Sequence, residues 1–357
     1  MPTGAPFGGP EMNRLPRRNR KMNRSIEGWV PCASVVAFAL LGFTAGCSGG
    51  SSSGTGTGGA GGGGSSAGVL PYKPCATGTR VGGFNFQLVP ADMGSTPYSQ
   101  LGGGVRDKTM PSETWKAEMK DGECSLMVPP FGCSPACTSG QACVAANTCA
   151  TAGVYQDVGT VTMTGPASPL VANPTQNTYS ESLTTYPPFA EGTVVHLAAA
   201  GKGSIAAFAL EGRGIAGVQA PTADIPLKTG QALTVSWTPP ASGGSSRVQL
   251  ALDIAHHGGV KATIECDVPD TGSKTISAAL LSALVAKGTA GFPIVSITRQ
   301  TLDSTMATPG CVEFAVSSHI ERSLTIDGLT SCMEDTECPT GKTCRPAGVA
   351  NGLTCTQ

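Results

Sequence analysis

The chain has 357 residues, 23 basic and 24 acidic side chains, four histidines and a formal net charge of −1. Charged residues make up only 13% of the sequence, whereas glycine occurs 49 times and proline 27 times. The body of the chain has no basic patch, which argues against a nucleic-acid partner, and the many turn residues favour a β-rich fold.

Residues 1–46 have the pattern of an export signal peptide. Six basic residues precede an apolar run of 14 residues, 30–43, which is shorter than the roughly 20 residues that a transmembrane helix needs. Removing this leader leaves 17 basic and 22 acidic residues and a net charge of −5. Met22 is an alternative start, from which residues 22–46 would form a signal of ordinary length.

The sequence Thr44-Ala45-Gly46-Cys47 resembles the lipobox of bacterial lipoproteins, with Thr44 where that family usually has leucine. The resemblance implies cleavage before Cys47 and acylation of this cysteine, with fatty acids such as palmitate. Ser48 in place of aspartate implies transport to the outer membrane, with retention in the inner membrane as the alternative. An ordinary secretory signal with a chance cysteine is the competing interpretation.

Residues 47–69 comprise the lipidated cysteine and a flexible linker. Positions 48–68 hold 11 glycines and six serines, and they lack any apolar side chain larger than alanine. Such a segment cannot form a core, so we expect the leader and linker to be disordered. Its r.m.s. reach is roughly 25 Å, which would hold a folded body just off a lipid surface.

Residues 70–130 carry strand patterns. Phe84, Phe86 and Leu88 alternate with polar residues, residues 115–118 alternate in the same way, and residues 125–128 form a short strand-like run. These patterns predict strands that associate with a larger sandwich. Residues 131–152 then form a cysteine-rich module, in which disulfides must replace a core because large apolar residues are almost absent.

Residues 153–330 are predicted to form the β-sandwich domain. Strand-like apolar runs or alternations occur at 161–163, 194–198, 205–210, 233–237, 248–254, 260–268, 294–298, 312–316 and 324–326. The segment between the fourth and fifth is rich in Pro, Gly and Ser, which predicts a turn joining two antiparallel strands. Ser277 can cap a helix that ends at Gly288, and we expect this helix to plug one end of the sandwich. Residues 331–357 form a second cysteine-rich module.

Residues 233–254, with Trp237 among them, resemble the early strands of fibronectin type III and other Ig-like sandwiches, although the later tyrosine of those domains is not evident. The cysteine modules share a Gly-x-x-Cys phrase and resemble EGF-like or Dickkopf-like repeats of secreted bacterial proteins, notably uncharacterised myxobacterial lipoproteins. The phrase at 266–277 resembles the same lipoproteins. Together these features imply a mainly β fold: an Ig-like antiparallel sandwich with one short helix and small disulfide-rich modules.

Twelve of the 14 cysteines remain once Cys32 is assigned to the leader and Cys47 to the lipid. Export to an oxidising compartment predicts disulfides. The cysteines fall into four even groups, each of which could close on itself: Cys75 and Cys124; Cys133, Cys137, Cys143 and Cys149; Cys266 and Cys311; Cys332, Cys338, Cys344 and Cys355. Four cysteines allow three connectivities, so the pairing inside each cluster stays open. Zinc is the alternative, but the clusters lack Cys-x2-Cys pairs and histidines.

Motifs for catalysis or cofactors are weak, and we predict no catalytic residues, no metal and no cofactor. Gly-x-Ser-x-Gly occurs at 50–54 and 64–68, but inside the linker, without the strand and helix of a nucleophile elbow. His256 and His257 could share a metal with Asp253, but adjacent histidines in a strand point to opposite faces. A solvated turn is therefore the favoured interpretation.

Calcium is a further alternative at two acidic runs. These are Asp267 with Asp270, and Glu334 with Asp335 and Glu337. Neither run has the EF-hand spacing, so turns and a solvated face are favoured.

We therefore expect a non-enzymatic lipoprotein of the bacterial cell envelope that acts as a binding or structural module. Its partners would be the membrane, through the lipid anchor, and an envelope protein or a glycan. The alternative is a carbohydrate-active hydrolase, which would need two carboxylates beside a sugar cleft. Asp253, Glu265 and Asp267 are the candidates, and no spacing selects a pair among them.

Cys47→Ala should abolish acylation, because the thiol is the acceptor of the lipid. We expect the variant to lose metabolic labelling with palmitate and to move from the detergent phase to the aqueous phase in Triton X-114 partitioning. Cys32→Ala is the control, since this cysteine is removed with the leader. Labelling that survives in Cys47→Ala would contradict the assignment.

Overall fold

The computed structural model describes residues 72–92, 96–109, 115–129, 132–241, 246–259, 262–347 and 351–357. The predicted leader, the linker and Cys47 lie outside these residues, and so does part of the predicted turn at 238–247. The described residues contain one α-helix, α1 (Ala278–Ala286), one 3₁₀ turn (Asp335–Glu337) and the following strands: β1 (Arg80–Val89), β2 (Tyr98–Arg106), β3 (Lys116–Asp121), β4 (Cys124–Val128), β5 (Gln141–Ala145), β6 (Thr148–Thr151), β7 (Tyr155–Gln156), β8 (Val161–Thr164), β9 (Leu170–Ala172), β10 (Tyr179–Leu183), β11 (Val194–Ala199), β12 (Phe208–Arg213), β13 (Ile225–Leu227), β14 (Leu233–Ser236), β15 (Arg247–Asp253), β16 (Thr263–Pro269), β17 (Ser273–Ile276), β18 (Ile294–Met306), β19 (Cys311–Ile326), β20 (Thr343–Cys344) and β21 (Cys355–Thr356).

One large sheet runs through the described body. Its main order is β10-β2-β1-β19-β18-β15-β16-β4-β3, and β13 and β7 pair with β19 and β2. A second sheet, β12-β11-β8-β9, and the pair β14-β17 lie outside it. The predicted mainly β, sandwich-like fold with one short helix is confirmed. Among the described helices, none is long and apolar enough to cross a membrane.

The apolar side chains form two separate cores. The sandwich core contains residues of β1, β2, β19 and the second sheet, such as Phe86, Leu101, Met163, Leu197 and Phe314. The helix core contains residues of β4, β15, β16, β18 and β19 together with α1 and β14, such as Leu126, Leu250, Ile264, Leu281 and Ile297. All ten side chains are at most 1% exposed.

The long strand β19 supplies one face to both cores, because its side chains alternate with a period of two. Its inward residues are Val312, Phe314 and Val316 in the sandwich core, and Ile320, Leu324 and Ile326 in the helix core. Ser318 and Arg322 point to the same face of β19 and are also buried. Val218 N donates to Ser318 Oγ, and Arg322 donates to the Pro221 and Ala220 carbonyls and to Asp92 Oδ2. The segment after β12 therefore crosses this face.

The helix begins and ends as the sequence predicts. Ser277 is the N-cap and its hydroxyl accepts from the Leu280 amide at 3.4 Å. Gly288 follows the last turn with a φ of 102°, a conformation that favours glycine. Leu280, Leu281 and Leu284 are buried, and the helix packs against β16, β4 and β3 at one side of the large sheet.

Two pairings differ from the sequence-based expectation. β14 does not pair with β15: it pairs with β17, while β15 lies between β16 and β18. Pro239 and Pro240 have no amide hydrogen to continue a ladder, and the chain crosses to another layer there. The sheet is also not purely antiparallel, because β1 and β13 each run parallel to β19.

All twelve predicted cysteines form disulfides. In both modules the first cysteine pairs with the third and the second with the fourth: Cys133–Cys143, Cys137–Cys149, Cys332–Cys344 and Cys338–Cys355. The expectation that the other four would pair within their groups is wrong. Cys75 pairs with Cys311, and Cys124 pairs with Cys266, because the sheet brings β1 beside β19 and β4 beside β16.

Removing the Cys124–Cys266 bridge by a double change to alanine should destabilise the body. The bridge spans 142 residues, for which the chain-entropy relation gives about 5 kcal/mol. Denaturant unfolding followed by tryptophan fluorescence measures the loss.

The matched control is Cys137→Ala/Cys149→Ala, whose bridge spans 12 residues. The hydrogen bonds described for residues 132–152 join residues of that same segment. We therefore expect this control to leave the main unfolding transition in place, and an equal loss in both variants would show that the cross-strand bridge has no special role.

Candidate functional site

A buried ion pair lies at the point where β18 leaves the helix core. Val295, Ile297 and Arg299 share one face of this strand, and the Arg299 side chain is only 2% exposed. Asp270, which follows β16, is 1% exposed and faces it. Arg299 Nε donates to Asp270 Oδ2 at 2.5 Å, and Nη2 donates to Oδ1 at 3.2 Å. This two-point contact is the favoured geometry for guanidinium and carboxylate.

Asp270 and Arg299 also form hydrogen bonds with other polar groups. Asp270 accepts from Trp237 Nε1 at 2.7 Å and from Ser246 Oγ at 2.9 Å. Arg299 also donates to the carbonyls of Thr238 and Ala216, at 2.5 and 3.2 Å. A buried pair is tolerated when such bonds satisfy its remaining donors and acceptors. The network therefore fixes two backbone segments, after β12 and after β14, to the large sheet.

These segments form the walls of a cleft of about 350 Å³. The cleft is the space lined by Tyr186, Pro187, Phe189, Ala190 and Glu191 on one side, by Ile215, Ala216, Gly217 and Gln219 on the next, and by Thr238, Pro239 and Arg299. Its lining combines two aromatic rings and prolines with a few polar side chains. Ligand sites are commonly built in this way, since an apolar wall gives contact area and isolated polar groups give orientation.

Two local features shape the cleft. A Cβ atom at Gly217 would lie 2.2 Å from the Tyr186 hydroxyl, so glycine at this position permits the tyrosine to pack there. Burial raises the pKa of that phenol, which keeps it a neutral hydrogen-bond donor and acceptor. Glu191 Oε2 accepts from the Ala241 amide at 3.3 Å. Glu191 is the only carboxylate among the described residues that line the cleft.

The carboxylates considered for glycoside hydrolysis have separate partners. Asp267 accepts from Arg247 Nε at 2.7 Å, and burial raises its pKa although this arginine opposes the shift. Burial also raises the pKa of Glu265, whose described partner is the Thr263 hydroxyl. Asp253 accepts from the Ala255 amide at 2.8 Å. The cleft lining includes none of the three.

The acidic runs considered for calcium have structural roles in the described residues. Asp270 belongs to the buried ion pair and not to a solvated turn. In the C-terminal module, Glu337 accepts from the Met333 amide and Asp335 accepts from the Cys344 amide. Three sulfurs in each cysteine module lie within 4.8 Å of one another. All of them are in disulfides and are not the thiolates that zinc requires.

The histidines lie in the turn after β15 and on strands β19 and β11. His319 on β19 is 3.4 Å from Glu321, and the rings of His256 and His257 are 3.9 Å apart. The fourth, His196 on β11, pairs with Glu211 at 3.2 Å. Sequence reasoning missed Arg299 as a site residue. Arg299 occupies the same alternating positions of its strand as Val295 and Ile297. The sequence pattern therefore places a charge among inward residues, where it needs a buried partner.

No protein family model matches the chain, and no curated protein matches it. Among solved structures the chain is similar to the FN1–FN3 domains of chicken CNTN1, with 9% identity and a TM-score of 0.17. The match covers 62% of this chain and 70% of that one. Values this low do not establish a shared topology, so the fold class rests on the strands and cores themselves.

Asp270→Asn should destabilise the protein by about 3–5 kcal/mol, because the amide leaves the Arg299 cation buried and uncompensated. Denaturant unfolding measures the loss. The control is Glu123→Gln, which breaks the exposed pair of Glu123 with Lys274 and should cost less than about 1 kcal/mol. Similar losses in the two variants would contradict the role assigned to the buried pair.

Proposed function

We propose that this protein is a lipid-anchored, non-catalytic binding protein of the bacterial cell envelope, and that it takes a saccharide ligand in the cleft. The lipid on Cys47 and an outer-membrane location come from the resemblance to lipoprotein signals. Six disulfides support export, because they form and persist in oxidising compartments. The cleft between the two cores is the observation that carries the binding role.

The lining of the cleft supports a saccharide. Sugar rings have apolar C–H faces and a rim of hydroxyls, so they suit a wall in which Tyr186 and Phe189 accompany Glu191 and Gln219. The single lining carboxylate does not supply the pair of acids that glycoside hydrolysis needs. Binding without conversion therefore accounts for these groups better than hydrolysis does.

The position of the tether also favours this role. Tyr72, the first described residue, lies on the face of the large sheet opposite Arg299. Its hydroxyl accepts from Gln300 Nε2 at 2.7 Å, and Gln300 and Arg299 are neighbours in β18 and so point to opposite faces. Burial is the main cause that raises the Tyr72 pKa to about 12. A tether that joins the folded body on that face would leave the cleft on the opposite face, away from the lipid anchor.

Trp237 provides a reporter for the binding test, because its indole contacts Asp270 behind the cleft. The chain has three tryptophans. Trp29 lies in the predicted leader that is removed, so Trp115→Phe leaves Trp237 alone in the mature protein. We expect oligosaccharides released from the cell envelope to change its fluorescence saturably. Tyr186→Ala should weaken binding roughly ten-fold, as the loss of a central aromatic contact does.

Glu191→Gln tests the carboxylate of the cleft, and Glu181→Gln is its matched control. Both remove one carboxylate charge, but Glu181 is an exposed residue of β10 outside the cleft lining. Only Glu191→Gln should weaken binding. Absence of saturable binding to any oligosaccharide, or unchanged affinity in Tyr186→Ala, would overturn the proposal. Recovery of a stoichiometric protein partner from solubilised envelopes instead would favour an assembly role.

A further inference from the structure

The two charged residues that line the cleft, Arg299 and Glu191, are in different electrostatic situations. The charge of Arg299 is balanced by Asp270, because Nε and Nη2 both donate to that carboxylate. Glu191 forms no ion pair with any residue that the structure describes. Glutamate carboxyl groups are ionised at pH 7. The described lining of the cleft therefore carries one unbalanced negative charge.

A tight turn holds Glu191 at the wall of the cleft. The Thr193 amide donates to the Ala190 carbonyl at 3.2 Å, and Gly192 has a φ of 81°, which is the conformation of the third residue of a type II turn. The Gly192 amide donates to the Gly214 carbonyl at 2.8 Å, and the Gly214 amide donates to the Thr193 carbonyl at 2.7 Å. These bonds fasten the turn to the segment after β12, so the backbone of Glu191 is fixed.

The Glu191 carboxylate keeps one oxygen for a ligand. Oε2 accepts from the Ala241 amide at 3.3 Å, and no hydrogen bond joins Oε1 to another described residue. The neighbouring cation is Arg213, whose Nη1 donates to the Gly192 carbonyl at 3.4 Å. Arg213 is not among the residues that line the cleft. A positively charged donor in the cleft would therefore find an open acceptor, and charge-assisted bonds of this kind are among the strong ones.

Aromatic residues lie on the same wall, three to five residues before Glu191 in the chain. The Tyr186 ring lines the cleft, and its hydroxyl has no hydrogen-bond partner among the described residues. Phe189 is 8% exposed, and its ring centroid is 5.7 Å from that of Phe86, so it supports the wall from the side of the sandwich core. The face of an aromatic ring attracts cations through its quadrupole. One wall thus combines two groups that both favour a positive charge.

We propose that the saccharide of the cleft is an amino sugar, whose ammonium group binds the Glu191 carboxylate beside the Tyr186 ring. This inference rests on the proposed saccharide role and specifies the class of saccharide. The ammonium group would donate to Oε1, the oxygen that the fold leaves open. Saccharides with carboxylate groups fit the cleft poorly, because like charges repel and the guanidinium of Arg299 is already paired with Asp270.

A matched pair of ligands isolates the ammonium group. These are the β-1,4-linked pentasaccharide of glucosamine and its fully N-acetylated counterpart, which share backbone and length and differ in charge. Fluorescence titration uses the mature protein in detergent with Trp115→Phe, at about pH 6, where amino groups carry a proton. We expect the charged ligand to bind at least about ten-fold more tightly. The preference should shrink as salt rises from about 0.02 to 0.5 M, because salt screens partly exposed charges.

Glu191→Gln should bring the two affinities within about three-fold of each other. Glutamine can keep the bond to the Ala241 amide through its side-chain oxygen, but it carries no charge. Glu181→Gln, outside the cleft lining, is the control and should keep the full preference.

Three results would overturn the inference and leave the saccharide site in place. They are equal affinity of the wild type for the two ligands, tighter binding of the acetylated one, and a preference that survives in Glu191→Gln. Failure of both pentasaccharides to bind would also overturn it. The saccharide site itself is decided separately, by the titration with oligosaccharides released from the cell envelope.

Discussion

The ion pair of Asp270 with Arg299 is the interaction on which the arrangement of the two cores depends. Removing two charges from water costs several kcal/mol per ion, and their mutual attraction offsets that cost only when further hydrogen bonds accompany it. Trp237, Ser246 and two backbone carbonyls supply such bonds here. Because those carbonyls belong to the segments that wall the cleft, the same bonds that satisfy the arginine set the shape of the candidate binding site.

Two disulfides link strands of the large sheet that lie outside the ion-pair network. The parallel neighbours β1 and β19 are joined at one end by Cys75–Cys311, across 236 residues. The Cys124–Cys266 bridge connects directly opposed residues of β4 and β16. Both bridges connect neighbouring strands of one sheet that are distant in sequence, whereas the bridges in the two small modules replace cores that those modules lack. The disulfides therefore serve two physical purposes in one chain.

The sequence predicted the elements better than their partners. Alternation identified the strands at Phe84–Leu88 and at 248–254, and Ser277 identified the start of the helix, because these signals are local. The pairing of β14 with β17, the parallel β1–β19 pair and the Cys75–Cys311 bridge depend on contacts between distant segments, which local periodicity does not encode. Asp270 looked like a turn residue because its partner lies 29 residues later.

The ion pair also fixes which residues of β18 face the cleft. In β18, Thr298 faces His319 on the outer side of the large sheet and Arg299 faces the cleft. A register slip of one residue would exchange these faces and expose the apolar residues Val295 and Ile297. It would also separate Arg299 from Asp270 and leave a buried carboxylate unpaired, which is costly. The buried pair thus opposes the slip more strongly than apolar burial alone, and it fixes the register that the cleft requires.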